Sequence, residues 1–336
     1  MTHSLDAFRA RTVLVTGATG RVGRHLVPML TSRGFTVRAQ TRRPSSTNNT
    51  TKVDWRQADF EKNPDFSDLV SGCDAVIHLA AEVWNIPQMK AVNVEASRGI
   101  AAAAVAAGVE ALVFTSSVAV YGSPHREFVD EETPTVTAEQ DVVEEYRGNA
   151  SIRAYARSKV MAERAIAEAG SSLAAVIFRP TIIVDDDGIR AVRDMSGLRR
   201  AVEGQRRTHH IHVADVCDAL CWGLERAWSS PKPGAETFNL SDNDVSCARY
   251  RDLFDLALRH TNDPGYRSPF KLPLFAYDLA DALKNRTLSK RIPLGKMNIS
   301  SQKLYDAGYR FPTGICAAYR HAFRNQASIL QGKMIG

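Results

Sequence analysis

Cysteine is scarce and unpatterned in this sequence. The five residues, at positions 73, 217, 221, 247 and 316, form no C-x-x-C pair. That excludes the usual spacings of a thiolate zinc site or a dithiol redox centre. An odd count without pattern fits a reducing compartment. Cys217 and Cys221 lie in an apolar stretch and are expected inside a buried helix. Long apolar runs are also missing. The alanine-rich run 101–113 is too short to cross a bilayer and is interrupted by Gly108 and Glu110. The opening stretch "MTHSLDAFRARTVLV" has no signal-peptide core. A cytoplasmic location without membrane contact is the expectation. The formal net charge of +6 is dispersed, and the arginine pairs 42–43, 199–200 and 206–207 stand apart. With no basic tract, no nucleic-acid partner is expected. His209, His210 and His212 cluster, but no carboxylate or cysteine completes a metal-ligand spacing. No metal is expected. These histidines read as lobe-junction residues, with His210 a candidate substrate contact.

What the sequence does have is rhythm. The apolar runs "TVLVTGA" (12–18), "FTVRAQT" (35–41), "DAVIHLA" (74–80), "ALVFTSS" (111–117) and "AAVIFRP" (174–180) alternate with helical patterns over 21–33, 90–107 and 155–169. In the first helix Val22, Leu26, Val27 and Leu30 share one face. This alternation predicts an α/β fold: a Rossmann-type doubly wound parallel sheet with helices on both faces. The acid-rich stretch 126–150 is expected as an excursion at the sheet edge. After residue 240 the rhythm fades, and Pro264, Pro269, Pro273 and Pro293 punctuate shorter segments. The expected organisation is a dinucleotide-binding domain over 1–180, rejoined by 213–240. Residues 181–212 and 241–336 would form a smaller C-terminal substrate lobe over the carboxyl edge of the sheet, where open α/β sheets bind ligands.

"VTGATGRVGR" places Gly17, Gly20 and Gly23 between the first strand and the first helix, the context that gives a glycine pattern meaning. Gly17 permits the tight turn, Gly20 the approach of a pyrophosphate, and Gly23 close packing of helix on strand. The helix N-terminus adds N–H groups and a positive dipole end. Thr19, Arg21 and Val22 belong to the same cradle. An acidic residue at the end of the second strand would bind the adenosine ribose hydroxyls of NAD. Here the sequence is "AQTRRP", with Arg42 and Arg43, whose guanidiniums suit a 2′-phosphate. NADP(H) is the expected cofactor and NAD(H) the alternative.

"AYARSK" places Tyr155 one helical turn before Lys159. A tyrosine can protonate the alkoxide left when a carbonyl accepts a hydride, but its reference pKa of about 10 is high for neutral conditions. A neighbouring ammonium stabilises tyrosinate, so Lys159 is expected to lower the pKa of Tyr155. Around this pair stand "TGATGRVG", "AD" (58–59), "HLAA" (78–81), "NV" (93–94), "TSSVAVYG" (115–122), "RP" (179–180) and "HIHVADV" (210–216). With these motifs in this order, residues 12–240 resemble the extended short-chain dehydrogenase/reductase family, which holds nucleotide-sugar epimerases, dehydratases and ketoreductases. The resemblance implies a catalytic set of Ser117, Tyr155 and Lys159, with Ser116 as the fallback for the serine. It implies that Asp59, beside Phe60, contacts adenine and that Leu79, Ala80 and Ala81 line the cofactor. Asn93 would support the active-site backbone, and Lys159 would also hold the nicotinamide ribose. Thr115, Pro180, Ile182 and Ile183 complete the implied cofactor site. Glu82, Ser117 and Val118 join His210 as candidate substrate contacts.

Departures from the family pattern narrow the substrate. The Asp–Glu pair that sugar-nucleotide dehydratases carry before "VYG" is replaced in "SSVAVYG". In "RPTIIVDDDG" Ile182 and Ile183 cannot hydrogen-bond a diphosphate, and Asp185, Asp186 and Asp187 would repel one if they faced the site. The expected activity is NADP-dependent oxidoreduction between a ketone and a secondary alcohol on a small molecule. One alternative is a nucleotide-sugar 4-epimerase. Another is a non-catalytic cofactor-binding regulator, against which an intact Ser–Tyr–Lys set speaks. The resemblance also implies a homodimer through the helices near 90–107 and from Tyr155. In the first of these Ala101 to Ala104, Ala106 and Ala107 permit close approach.

Overall fold

The computed structural model describes residues 11–43, 50–62, 65–146, 149–230, 232–242, 245–270 and 291–334, with Phe275, Leu279 and Leu283, and side chains as far as Arg324. Pro273 and the opening ten residues, on which the expectation about a leader rests, lie outside these. β1 (Thr12–Thr16) leads to α1 (Gly23–Ser32), β2 (Thr36–Thr41), β3 (Val53–Gln57), α2 (Ser67–Val70) and β4 (Ala75–His78). One helical stretch then joins α3 (Ile86–Met89), a π-helical turn over Lys90–Glu95 and α4 (Ala96–Ala106). β5 (Ala111–Thr115), β6 (Phe128–Val129), α5 (Ala150–Ala169), β7 (Ala174–Pro180) and β8 (Ile182–Val184) follow. Next come α6 (Asp186–Arg190), α7 (Gly197–Glu203), β9 (His210–His212), α8 (Val213–Trp228) and β10 (Gly234–Leu240). The last described elements are α9 (Tyr250–Thr261), β11 (Asn298–Ile299), α10 (Gln302–Asp306) and α11 (Ile315–Met334).

The main sheet has seven strands in the order β10-β7-β5-β4-β1-β2-β3, with every pairing parallel. Successive strand residues point to opposite faces, and both faces are apolar. Val13, Val15, Ile77 and Val113 pack with Leu26 and Leu30 of α1 and Val216 and Leu220 of α8. Leu14, Val76, Leu112 and Phe114 pack with Ile100 and Ala104 of α4 and Ala162 and Ile166 of α5. The chain order reverses between β1 and β4, which opens a crevice at their carboxyl ends. β3 escapes a reading by periodicity because "VDWRQ" is polar and no residue in it is fully buried. α5 starts before Tyr155 because Asn149 caps it, its Oδ1 accepting the Ile152 N–H at 2.9 Å.

Two smaller cores lie outside the sheet. Val184, Ile189 and Val192 meet Leu253, Phe254, Tyr319 and Phe323 in one. In the other, Val118, Val120 and Tyr121 meet Val129, Val160 and Ile299. The second core exists because β6, inside the acid-rich stretch, pairs in parallel with the distant β11. Acids of that stretch are engaged: Glu131 accepts the Asn239 N–H at 2.7 Å on the edge strand β10, and Glu145 accepts from Thr137. Cys217 and Cys221 are buried in α8. Cys247 and Cys316, however, are placed as a disulfide with Cα atoms 5.7 Å apart, against the expectation of reduced cysteines. They are 69 residues apart, so no local spacing could signal the pairing. Among the described residues no helix is long and apolar enough to cross a membrane.

Candidate active site

A cavity of about 410 Å³ opens in the crevice between β1 and β4. Its phosphate end is made of backbone. Gly17 takes φ +64°, and a Cβ there would lie 3.0 Å from the backbone of Ala80. A Cβ on Gly23 would collide with the Gly17 carbonyl oxygen and with Ala18. α1 has no side-chain cap and no acid in its first turn, so its first N–H groups face an anion site. Thr19, Gly20, Arg21 and Val22 border the cavity. Gln40 supports the turn from below: its buried carboxamide accepts the Gly17 N–H at 2.8 Å and donates to the Ala58 carbonyl at 2.6 Å. The sequence reading missed Gln40; an amide in an otherwise strand-like run is the signal that could have found it.

Past β2, Arg42 borders the cavity, while Arg43 is exposed and outside it. One of the expected arginine pair therefore faces the site. Asp59, Phe60, Leu79, Ala80 and Ala81 also border the cavity. Glu82 also lines it, but its carboxylate accepts the N–H groups of Val83, Trp84 and Asn85, each at 3.0 Å. Asn93 does not reach the cavity. It donates to the Glu82 carbonyl at 2.8 Å and accepts the Glu82 N–H at 2.7 Å, which holds the wall in place.

The reacting end gathers Thr115, Ser116, Ser117 and Tyr155. The buried Thr115 Oγ1 and Ser116 Oγ have no hydrogen-bond partner among the described residues. Orphaned hydroxyls of this kind, with the glycine cradle, fit a bound nicotinamide dinucleotide. Ser117 accepts the Ala119 N–H at 3.1 Å and lies beside the Tyr155 side chain in the cavity wall. Tyr155 borders the cavity and is half-buried. Burial pushes its pKa up to about 12, and the neighbouring Ser117 hydroxyl only tempers the rise. This corrects the expectation of a lowered tyrosine. Lys159 lies behind the cavity, with Nζ donating to the Thr115 carbonyl at 2.7 Å. Burial brings its pKa down to about 7, opposed by Glu163.

His78 locks the floor. Its Nδ1 lies 2.7 Å from Thr16 Oγ1 and its Nε2 3.0 Å from Ser97 Oγ. Ser97 donates to the Asn93 carbonyl at 2.6 Å, so His78 donates from Nε2 and accepts at Nδ1. Burial holds its pKa down at about 3. The network ties β1, β4 and the π-helical turn together, and no spacing in the sequence announces it.

Several expected contacts fall elsewhere. Pro180 and Ile183 border the cavity, but Ile182 is 39% exposed and points away, as alternation along β8 requires. Val118 is buried in the core with Val160 and Ile299. His210 is buried with its Nδ1 2.8 Å from the Tyr319 hydroxyl, so it cannot touch a substrate in the cavity. His209 bonds the Leu294 carbonyl at 2.8 Å. Thr181, Val83 and Val92 line the cavity without having been singled out. Among the described residues no cluster of His, Cys, Asp and Glu could hold a metal ion.

Comparison with known proteins gives the family. A family model described as the NAD dependent epimerase/dehydratase family matches residues 13–184, just over half of the chain. A dihydroflavonol 4-reductase from Zea mays is 28% identical over 93% of this chain and 87% of its own length. A short-chain dehydrogenase/reductase superfamily protein from Agrobacterium tumefaciens, solved with bound NAD, superposes with a TM-score of 0.73. It is 22% identical and covers 97% of this chain and 100% of the other. A UDP-galactose 4-epimerase structure superposes with a TM-score of 0.65 at 20% identity, covering 95% of this chain and 99% of the other. The chain therefore belongs to the NAD-dependent epimerase/dehydratase family of extended short-chain dehydrogenases/reductases and is an NAD(P)-dependent enzyme.

Proposed function

We propose that this protein is an NADP-dependent oxidoreductase that interconverts a ketone and a secondary alcohol on a small molecule. The observation that carries the reading is a single cavity with the Ser117 and Tyr155 hydroxyls at one end and the Gly17–Gly23 cradle with Arg42 at the other. The nicotinamide supplies or takes the hydride. Ser117 hydrogen-bonds the substrate oxygen and stabilises charge as it develops. Tyr155, kept protonated at neutral pH by its burial, gives its proton to the alkoxide oxygen in the reduction direction. Lys159, one helical turn after the tyrosine and hydrogen-bonded to the Thr115 carbonyl, holds a labile proton behind the cavity. Arg42 takes the 2′-phosphate. Residues 1–180 with 213–240 act as the dinucleotide-binding domain, and 181–212 with 241–336 as the substrate lobe. The reductase name of the Zea mays relative supports the reduction direction. A homodimer through α4 and α5 accompanies this reading, and a monomeric mass by light scattering at micromolar concentration would contradict it.

One observation favours a second reading, a nucleotide-sugar 4-epimerase. The three aspartates expected to repel a diphosphate are occupied elsewhere. Asp185 accepts the Gly188 N–H at 2.9 Å and pairs with Arg24; Asp187 pairs with Arg190 at 2.7 Å. Asp186 lies 3.5 Å from His212 and from His321. None of the three borders the cavity. A panel of ketones and UDP-sugars, followed by NADPH absorbance and by sugar analysis, separates the readings. NADPH consumption with a ketone supports the reductase. Sugar epimerisation by a protein that retains its nicotinamide overturns it.

A further inference from the structure

We propose that Glu163, clamped by Arg179, is a positioning residue that sets the charge on Lys159 and with it the pH range in which the site works. The inference rests on the oxidoreductase reading above. Lys159 is 1% exposed. Its visible partners are uncharged: the Thr115 carbonyl at 2.7 Å and the Phe114 ring, whose centroid is 4.1 Å from Nζ. Such a lysine sheds its proton unless a carboxylate stands near. Glu163 follows one turn later on α5, on the same face, and is the group that favours the charged lysine.

Glu163 is not a free carboxylate. It accepts from Arg179 Nε at 2.9 Å and Nη2 at 2.7 Å, and both side chains are 9% exposed. Arg179 Nη1 also donates to the Tyr121 hydroxyl at 2.8 Å, which donates to Asn239 Oδ1 at 2.7 Å. The carboxylate is thereby fixed from β7, from the turn after Ser117 and from β10, and cannot swing to the lysine. Its charge reaches Lys159 partly offset by the guanidinium behind it. The groups around Lys159 are Tyr155 and Glu163 on α5, Phe114 and Thr115 on β5, and His78 on β4, with Arg179 and Tyr121 behind Glu163. His78 is kept neutral by burial, so the pair Glu163–Arg179 is the adjustable charge.

The two members of the pair must act on Lys159 in opposite senses. Glu163→Gln leaves the Arg179 charge uncompensated, and the lysine ammonium loses its support. Arg179→Met leaves the carboxylate undivided, and the ammonium gains. A merely structural role moves both variants the same way, because breaking either side of a buried pair destabilises the fold.

The test reads the lysine itself. Lysine ¹³Cε resonances of the full chain are titrated by NMR, with Lys159 assigned by its absence in Lys159→Met. The expected midpoint falls by one pH unit or more in Glu163→Gln and rises by half a unit or more in Arg179→Met. The pH at which NADPH affinity weakens should move in the same order. If Glu163→Gln does not fold, the double variant Glu163→Leu/Arg179→Met replaces it and should also lower the midpoint. Unmoved midpoints, or shifts of the same sign in both single variants, overturn the inference. Failure of the folded wild type to turn over any ketone with NADPH sinks the functional reading alone, because the titration needs no substrate.

Discussion

Several strands of the main sheet pair with the strand next in the chain, whereas several elements outside that sheet are tied to residues near the far end of the chain. β1 pairs with β2 across α1, and β2 with its successor β3. By contrast β6 needs β11, the Cys247 loop needs α11, and Asp215 in α8 accepts the N–H groups of Thr313 and Gly314 at 2.9 and 3.0 Å. The difference teaches a division of labour. The cofactor end rests on local geometry and should tolerate damage to the lobe, whereas the lobe depends on a few long-range ties.

The sharpest test acts at the boundary. Tyr155→Phe removes one hydroxyl from the reacting end and nothing from the phosphate cradle. Turnover should fall 10²–10⁴-fold, the usual loss of a general acid, while NADPH affinity stays within about twofold. Retention of more than about a tenth of the activity would show that the proton comes from elsewhere.

Next in size is the lobe tie. Reduction of Cys247–Cys316, or Cys247→Ser, should cost about 2–4 kcal/mol of lobe stability. Thermal unfolding with and without reductant measures this, and NADPH titration should show unchanged affinity. A parallel loss of cofactor binding would break the comparison, since the two regions would then unfold as one.

Acid should strain both regions. Burial holds His78 and His210 down at about 3 and His209 at about 4. Below the ordinary histidine value the unfolded chain takes up protons that the folded chain refuses. Stability should therefore fall as the pH drops from 6.5 towards 4, by about 1.4 kcal/mol per unit for each histidine. Urea unfolding at pH 5 and pH 7 reads this; His210→Phe should flatten the dependence, and an unchanged slope would mean that His210 titrates normally.

The smallest expected effect lies at Arg42. Arg42→Ala should weaken NADPH relative to NADH about tenfold, or about 1.4 kcal/mol. Arg43→Ala should do far less, because that side chain is outside the cavity. A wild type that binds both cofactors equally would remove the basis for the NADP assignment.

Much of this molecule was legible before folding. Five of the seven strands of the parallel sheet follow from short apolar runs separated by helical patterns, whereas the edge strands β3 and β10 do not show themselves that way. The glycine cradle and the Tyr155–Lys159 spacing are local, since each lies within one turn or one helix. Val118, Ile182 and His210 were misjudged for a common reason: which way a side chain points depends on strand register and on packing partners many residues away.

The sequence by itself determined the alternation of strands and helices up to Pro180, the glycine cradle, and the spacing of Tyr155 and Lys159, because these follow from neighbouring residues. Only the tertiary structure decided the electrostatics. Burial raises Tyr155 and lowers Lys159, the reverse of what the isolated pair suggests for the tyrosine. Glu163 and Arg179 meet across α5 and β7, and Cys247 finds Cys316. Desolvation and the distance between charges depend on every element packed around a group, and no stretch of sequence contains them.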